Sequence, residues 1–574
     1  MQHRFHFYNS SIKFFVFLLA ITLSFLSPKK TFAQNTPPTQ DDFQKQQQIL
    51  EDNTERDENQ KFDYENLVDL ISILQKHPVN LNKASREDFL PLVDLKVLND
   101  QQVNAILNYR DQLGKFISIF ELQAVPYLDV ATIKNMLPYV TVNSTLATTQ
   151  IKPIELLTGG DYMLLMRGTQ IIEEQKGFSP ADSNSTSRYL GSPLNLYTRF
   201  RYSYGTKFSY GITGQKDAGE EFFKGTQKQG FDFYSAHIFY RGNGLVKAVA
   251  LGDYTLNFGQ GLLMGSGFGV NKSSYITSIK NGGREIRPYT SADEFNFFRG
   301  SAITLGSNHI SATGFASYKK IDGNVSSIDT IDENTFVTSI GGNGYHRTTT
   351  EVENKNTNDQ TVFGANLDYN TRGFSAGATF LHSQFTIPVS PAYQPYNIYY
   401  FQGDQLTNYG AHFDWQYKNF NWFGEAAYSN PGSFGMLSGL LVSVDPKVDL
   451  VFIYRNYARD FQSLYSNAFG ESSTSINEKG LYSGLIIRPA RAWELDAYAD
   501  FFSKPWLAYL VDAPSVGVDY LVQLNYRPNK VLAMYMRWKD ETKQANSSLN
   551  DTPLDYVANT EKQNLRFDLS YKAT

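Results

Sequence analysis

The chain has 574 residues, 41% of them apolar and 15% aromatic, with a formal charge of −5 and no cysteine. Lack of cysteine excludes disulfides, thiol nucleophiles, Cys-ligated metals and a lipid anchor on an N-terminal Cys. The mild charge gives no electrostatic reason to expect nucleic acid or an anionic surface as a partner.

Residues 1–33 read as a secretory signal. His3, Arg4 and Lys13 are basic, Phe14 to Leu26 is apolar, and Thr31-Phe32-Ala33 is a small-residue exit. The 13-residue apolar run is short for a membrane-spanning helix. Residues 34–61 form a polar linker broken by Pro37-Pro38, with too little apolar surface to fold alone.

Residues 62–142 change character. Asn66 to Leu74 carries apolar residues at helical spacing. Ser85 with Asp88 predicts one helix cap, and Asn99 predicts another before a helix starting at Asp100 with Val103, Ile106 and Leu107 on one face. Four or five short helices are expected there.

From 158 to 574 the pattern has period two. Trp493, Leu495, Ala497, Ala499 and Phe501 alternate with Glu494, Asp496, Tyr498 and Asp500. Tyr409 to Tyr417 and Leu565 to Tyr571 behave alike. Strands of about 9–11 residues with one apolar and one polar face suit a tilted strand crossing a bilayer. Tight turns at 204–207, 241–244, 306–308, 370–373, 445–447 and 527–530 alternate with longer polar connections. Short turns on one side and long loops on the other mark an outer-membrane barrel. The chain is therefore expected to be mainly β: a transmembrane antiparallel barrel of about 18 strands behind a small all-α domain. An even count permits closure, which pairs 160–172 with 563–572.

Two stretches resemble known proteins. Val79-Asn80-Leu81-Asn82-Lys83-Ala84-Ser85, Tyr109-Arg110, Gly114-Lys115-Phe116, Phe120-Glu121-Leu122 and Leu137-Pro138-Tyr139-Val140 resemble the tandem helix-hairpin-helix domain of bacterial competence DNA receptors. Leu251-Gly252-Asp253-Tyr254, Phe258-Gly259-Gln260-Gly261-Leu262, Arg287-Pro288-Tyr289-Thr290-Ser291 and Arg299-Gly300 resemble a family of bacterial helix-hairpin-helix-containing outer-membrane proteins. The first resemblance implies DNA contact through two hairpins, around Lys96 and Val97 and around Tyr127 and Leu128. The residues argue against it. Such hairpins present Gly-rich backbone N–H groups to a phosphate. Here Asp94 and Asp129 take that place, and Pro126 lacks an N–H. Residues 66–142 carry seven Lys/Arg against eight Asp/Glu, whereas duplex binding needs basic side chains.

No catalytic or metal-binding motif stands out. His77, His237, His309, His346, His382 and His412 form no close ligand pair in sequence. No enzyme activity and no cofactor are expected. Charged residues on the polar strand faces are read as lining a wet lumen: Arg167, Arg199, Arg201, Arg488, Arg527 and Arg566 against Asp414, Glu425, Glu494, Asp496, Asp500, Asp519 and Asp568. The connection 257–296, opening with Gly259, Gln260 and Gly261, is a candidate constriction loop. The leading expectation is a channel or transport component in outer-membrane lipid, with the helical module in the periplasm as plug, gate or docking site for a protein partner through 64–142. Alternatives are a DNA-uptake component and a non-transporting assembly or structural protein of the envelope.

Overall fold

The computed structural model describes residues 64–574 except Lys96, Asp129 and positions 143–152, 180–187, 267–269, 271, 283–284, 308, 328–334, 372, 473, 530, 548–554 and 572–574. The signal 1–33 and the linker 34–61 lie outside the described residues.

The helical module runs α1 (Tyr64–Lys76), β1 (Val79–Asn80), α2 (Arg86–Asp94), α3 (Asp100–Leu113), a 3-10 turn at Ile119–Ala124, α4 (Val130–Met136), a second 3-10 turn at Leu137–Tyr139 and β2 (Val140–Thr141). Both expected caps form. The Asp88 carboxylate accepts from Ser85 N at 2.9 Å and Ser85 Oγ at 3.0 Å. Asn99 Oδ1 accepts from Gln102 N at 2.8 Å, and Gln102 Oε1 accepts from Asn99 N at 2.9 Å. Each cap stabilises its helix by about 1 kcal/mol. Leu74, Leu81, Phe89, Leu92, Val103 and Ile106 are fully buried at the centre. Arg110 Nη1 donates to the carbonyls of Leu81 at 3.0 Å and Ala84 at 2.6 Å, which fixes the entry to α2. The parallel pair β1–β2 ties the two ends of the module together.

A short helix, α5 (Pro153–Thr158), leads into the sheet. The strands are β3 (Asp161–Thr169), β4 (Asn195–Tyr204), β5 (Phe208–Lys216), β6 (Phe233–Arg241), β7 (Val246–Leu256), β8 (Ile286–Pro288), β9 (Phe298–Gly306), β10 (Ile310–Ile321), β11 (Gly323–Ser327), β12 (Thr335–Ile340), β13 (Asn358–Thr371), β14 (Phe374–Val389), β15 (Gly403–Tyr417), β16 (Phe420–Asn430), β17 (Phe434–Asp445), β18 (Val448–Tyr457), β19 (Glu478–Ala490), β20 (Trp493–Lys504), β21 (Ser515–Tyr526), β22 (Leu532–Asn546) and β23 (Val557–Tyr571). Of these, β8, β11 and β12 are short additions. β7 pairs directly with β9, and β10 directly with β13. The remaining eighteen make the wall, matching the expected count.

The sheet winds round as a barrel in which β3 follows β23. Antiparallel registers run unbroken from β3 to β23, the two strands that the closed order places side by side. Their outward side chains Met166 (68%) and Leu565 (70%) are more exposed than Phe452 (40%) in the middle of the wall.

Outward positions carry Tyr409, Trp415, Phe452, Tyr454, Leu481 and Phe501, all exposed, as an apolar wall facing lipid requires. One end of the barrel has eight tight turns, including two at 417–420 and 490–493 that the sequence did not mark. The other end carries the long connections, with one exception: β16 and β17 are joined by only Pro431 to Ser433.

Candidate functional site

The site is the barrel's interior together with the mouth at the tight-turn end. The wall's inner face is set by strand alternation, and the expected inward residues do point inward. They do not line open water. Glu425, Asp496, Asp500 and Asp519 are each no more than 4% exposed, and Arg199 is 1% exposed. The connection 257–296, folded into the lumen, covers Arg199, Glu425, Asp500 and Asp519.

Its first residues are held by the wall. The Glu425 carboxylate accepts from the backbone N–H groups of Gln260 at 2.6 Å, Leu262 at 3.1 Å and Leu263 at 3.3 Å. Gly259 (φ +55°) and Gly261 (φ +82°) take left-handed backbone, and a Cβ on Gly259 would stand 2.8 Å from Glu425 Oε2. The expected constriction residues Gly259, Gln260 and Gly261 are thus the loop's anchor. Leu262, Leu263, Ile276 and Ile279 then pack in one cluster with the wall residues Phe423, Leu437, Leu441, Val451, Ile453 and Tyr482. Wall glycines make room. A Cβ at Gly410 would meet Leu263 at 2.6 Å, and one at Gly484 would meet Ile276 at 2.3 Å. Each buried Leu or Ile stabilises the inserted loop by about 1.5–3 kcal/mol. A second connection, 458–477, braces it: Gly265 N donates to Tyr465 O at 2.8 Å and Asn467 N to Gly261 O at 2.8 Å.

Several charges inside the barrel are paired with one another. Arg455 binds Asp500 at 2.8 Å and Glu478 at 2.5 Å, all three fully buried. Lys272 of the inserted loop lies 2.8 Å from Asp519 and 3.1 Å from Asp500, and also meets Glu471. Burial opposes the Lys272 charge, but Glu471, Asp519 and Asp500 outweigh it and raise its pKa. Burial likewise works against the Glu471 charge, yet Lys272 and Lys543 hold it down to about 2. Asp414 pairs with Lys280. Arg488 bridges Asp449 at 2.7 Å and Glu494 at 3.0 Å near the tight turns. Asp496 accepts from Asn525 at 2.6 Å. Arg167 stacks on Tyr197, Arg199 donates to Thr290 O at 3.1 Å, and Arg201 is 9% exposed. Arg527 reaches Glu494 only at 4.0 Å, while Arg566 lies over Tyr535 and Asp568 is half-buried on the last strand. The wet, mixed lumen expected from sequence is instead a packed interior. The polar faces alternate as read; what the strand pattern does not carry is the connection 257–296 occupying the space they enclose.

The helical module closes onto the tight-turn end. Its first hairpin, between α2 and α3, enters the mouth. Val93, Asp94, Leu98, Asn99 and Gln101 line one cleft with Thr277, Lys280, Asn281 and Arg287 of the inserted connection and Asn421 and Leu441 of the wall. Asp94, buried, pairs with Arg287 at 2.9 Å. Arg241, the last residue of β6, binds Asp88 at 3.0 Å and donates to Glu87 O at 2.7 Å. Across the mouth, Asn104 donates to Gln416 at 2.7 Å, and His77 contacts Asp161 at 3.2 Å. The module thus touches both the early strands and β15.

Of the residues proposed for DNA contact, Val97 is half-buried on this docked hairpin and Lys96 lies outside the described residues. The second hairpin faces away from the mouth. Tyr127 is exposed in left-handed backbone (φ +65°), its carbonyl accepting from Gln102, while Leu128 is buried in the module. Sequence reasoning missed Arg241, Arg287, Lys272, Arg455 and Glu478, and read Asp88 only as a helix cap. Of the five, Arg287 carried a signal, in the Arg287-Pro288-Tyr289-Thr290-Ser291 run.

Residues 74–141 match the family model for the helix-hairpin-helix motif. No curated protein sequence matches the chain. Solved structures with a similar sheet include OmpT of Vibrio cholerae, 7% identical, covering 66% of this chain and 89% of that one with a TM-score of 0.25. OccK3 (OpdO) of Pseudomonas aeruginosa is 8% identical, covering 66% and 90% with a TM-score of 0.32. The anion-selective porin from Comamonas acidovorans is 10% identical, covering 66% and 89% with a TM-score of 0.26.

Proposed function

We propose that this chain is an outer-membrane channel or transport component whose helix-hairpin-helix module gates the periplasmic mouth. Tight turns of outer-membrane barrels face the periplasm, and the exported chain carries its module at that end. One observation carries the reading. The first hairpin sits in the mouth with Asp94 on Arg287 of the very connection that fills the lumen. A displacement of the module therefore pulls on the inserted loop.

The same pair weakens the DNA-uptake reading. The hairpin that would meet a phosphate presents a carboxylate already matched to an internal arginine. Docking of a protein partner is supported separately: Leu113, Ile117 and Phe120 leave an exposed apolar face on the module, with Ile117 92% exposed. Ile117→Asp should abolish a cross-linked periplasmic complex in whole cells, and an unchanged complex removes the docking role.

The gate is tested in planar bilayers. The wild-type protein should be closed most of the time. Deletion of residues 64–142 should raise single-channel conductance or open probability at least tenfold. Equal currents from both would defeat the gate reading.

A further inference from the structure

The inserted connection meets the wall a second time, near its far end, through a carboxyl group. Glu285 stands just before β8, two residues ahead of the Arg287 that holds Asp94 of the module. Its backbone carbonyl accepts from Asn257 N at 2.9 Å, so the start of the connection is tied to the same point. Its side chain reaches the wall, where Thr313 Oγ1 of β10 donates to Glu285 Oε2 at 2.9 Å.

The wall beside Thr313 carries a row of titratable groups. Strand register sets Asp368, Gly377, His412 and Glu425 side by side across β13 to β16. Gly377 leaves room for its two neighbours to meet, since a Cβ there would strike both the Asp368 carboxylate and the His412 ring. His412 Nε2 lies 2.8 Å from Asp368 Oδ1. Asp368 Oδ2 accepts from Asn366, two positions away on the same face. Asn366 is the register partner of Thr313, the residue bonded to Glu285. Glu425, at the other end of the row, holds the N–H groups of Gln260, Leu262 and Leu263. Both ends of the inserted connection therefore rest on one row.

Three carboxyl groups around one imidazole cannot all be charged cheaply in a packed interior. Asp368 and His412 face Glu285, and Glu425 faces the same imidazole. Further along β15, Asp414 is paired with Lys280. Burial, and then the Asp368 charge, push the Glu285 carboxyl up to about 7.

We propose that Glu285 is a proton-operated clasp: protonated, it holds the inserted connection on β10 and β13, and as pH rises it lets go and loosens the gate. This names the regulation of the gate and rests on that reading. The sign follows from linkage. A carboxyl that holds its proton more tightly in the inserted state favours insertion fully below about pH 4.5, and that contribution is lost as pH rises through about 7. The proton leaves to solvent, and the bare carboxylate then faces Asp368. Arg287, two residues on, carries the loosening to Asp94 of the module.

The test uses the full-length protein in detergent, with Ser278→Cys carrying a nitroxide label on the inserted connection; the chain has no cysteine of its own. From pH 5 to pH 8 the balance should shift toward release by on the order of 50-fold, read as growth of the mobile spectral component. Glu285→Gln keeps an acceptor for Thr313 without the charge, and should hold that component at its pH 5 level throughout. Asp368→Asn removes the facing charge and should move the midpoint down by about one pH unit. Equal spectra at pH 5 and pH 8, or an undiminished rise in Glu285→Gln, overturns the clasp. If Glu285→Gln fails to fold, judged by heat-modifiable gel mobility, an unmoved midpoint in Asp368→Asn overturns it. In planar bilayers, opening should rise with the same midpoint. A spectral rise with no current at any pH would break the gate reading and support the clasp, whereas currents without the spectral rise would do the reverse.

Discussion

The two hairpins of the helical module share one motif and meet opposite surroundings. The first, around Val93 and Asp94, is inserted into the barrel mouth with its carboxylate buried on Arg287. The second, around Pro126 and Tyr127, faces away and ends no ion pair among the described residues. In a DNA-binding domain both would offer backbone N–H groups to a phosphate. Here the first has become a contact within the chain. A motif's position against its neighbours, rather than its presence, sets what it does.

That contrast is most easily broken at Asp94. Asp94→Lys sets two cations together in a buried cleft and should weaken docking of the module by about 3–5 kcal/mol, the range for losing one partner of a buried pair. Limited proteolysis would read it as faster cleavage between 142 and 160. Arg287→Asp in the same chain should restore part of the loss. No restoration would mean that the two side chains do not act on each other.

The anchor of the inserted loop comes next. Glu425→Ala removes the acceptor of three backbone N–H groups. A cost of about 3 kcal/mol follows from hydrogen bonds to a charged group, so amide exchange at Leu262 and Leu263 should quicken by about 100-fold. Unchanged exchange would show that apolar packing alone holds the loop.

Arg241→Ala should have a smaller effect, about 1 kcal/mol on docking, because the pair with Asp88 lies partly in solvent. Proteolysis at the same linker measures it. An effect equal to that of Asp94→Lys would contradict the ranking.

The second hairpin sharpens the comparison from its own side. Phe120→Ser lies on the face away from the mouth and should change proteolysis rates by less than about twofold, as surface substitutions usually do. The purified full-length protein should bind duplex DNA no tighter than about 100 µM at physiological salt. A micromolar Kd with a steep salt dependence would return DNA contact to this hairpin.

The wall was legible because lipid imposes alternation on it. Tyr409, Trp415, Leu481 and Phe501 face outward and Asp496 and Asp500 inward as the period of two requires. The caps at Ser85 and Asn99 were legible because capping is local. The tight turn at 417–420 was not, since Lys418 takes φ +50° with no glycine to mark it. The filled lumen was hidden for a different reason. Leu437, Leu441, Val451 and Ile453 face inward and make their strands apolar on both faces, a pattern that only a partner inside the barrel explains. The ion pairs Asp94–Arg287 and Lys272–Asp519 join residues some two hundred positions apart. The Glu285, Asp368 and His412 group does the same over more than a hundred. No spacing rule reaches that far.

The central claim is that the module closes the mouth, and the absence of cysteine from the chain makes it directly testable. Asn104 and Gln416 meet across the mouth at 2.7 Å. With both changed to Cys and joined by a short reducible cross-linker, the module is fixed in place. In planar bilayers the cross-linked protein should stay closed even when it also carries Asp94→Lys, and reduction of the linker should release channel opening. Failure of the two cysteines to cross-link, or currents that are the same before and after reduction, would contradict the account.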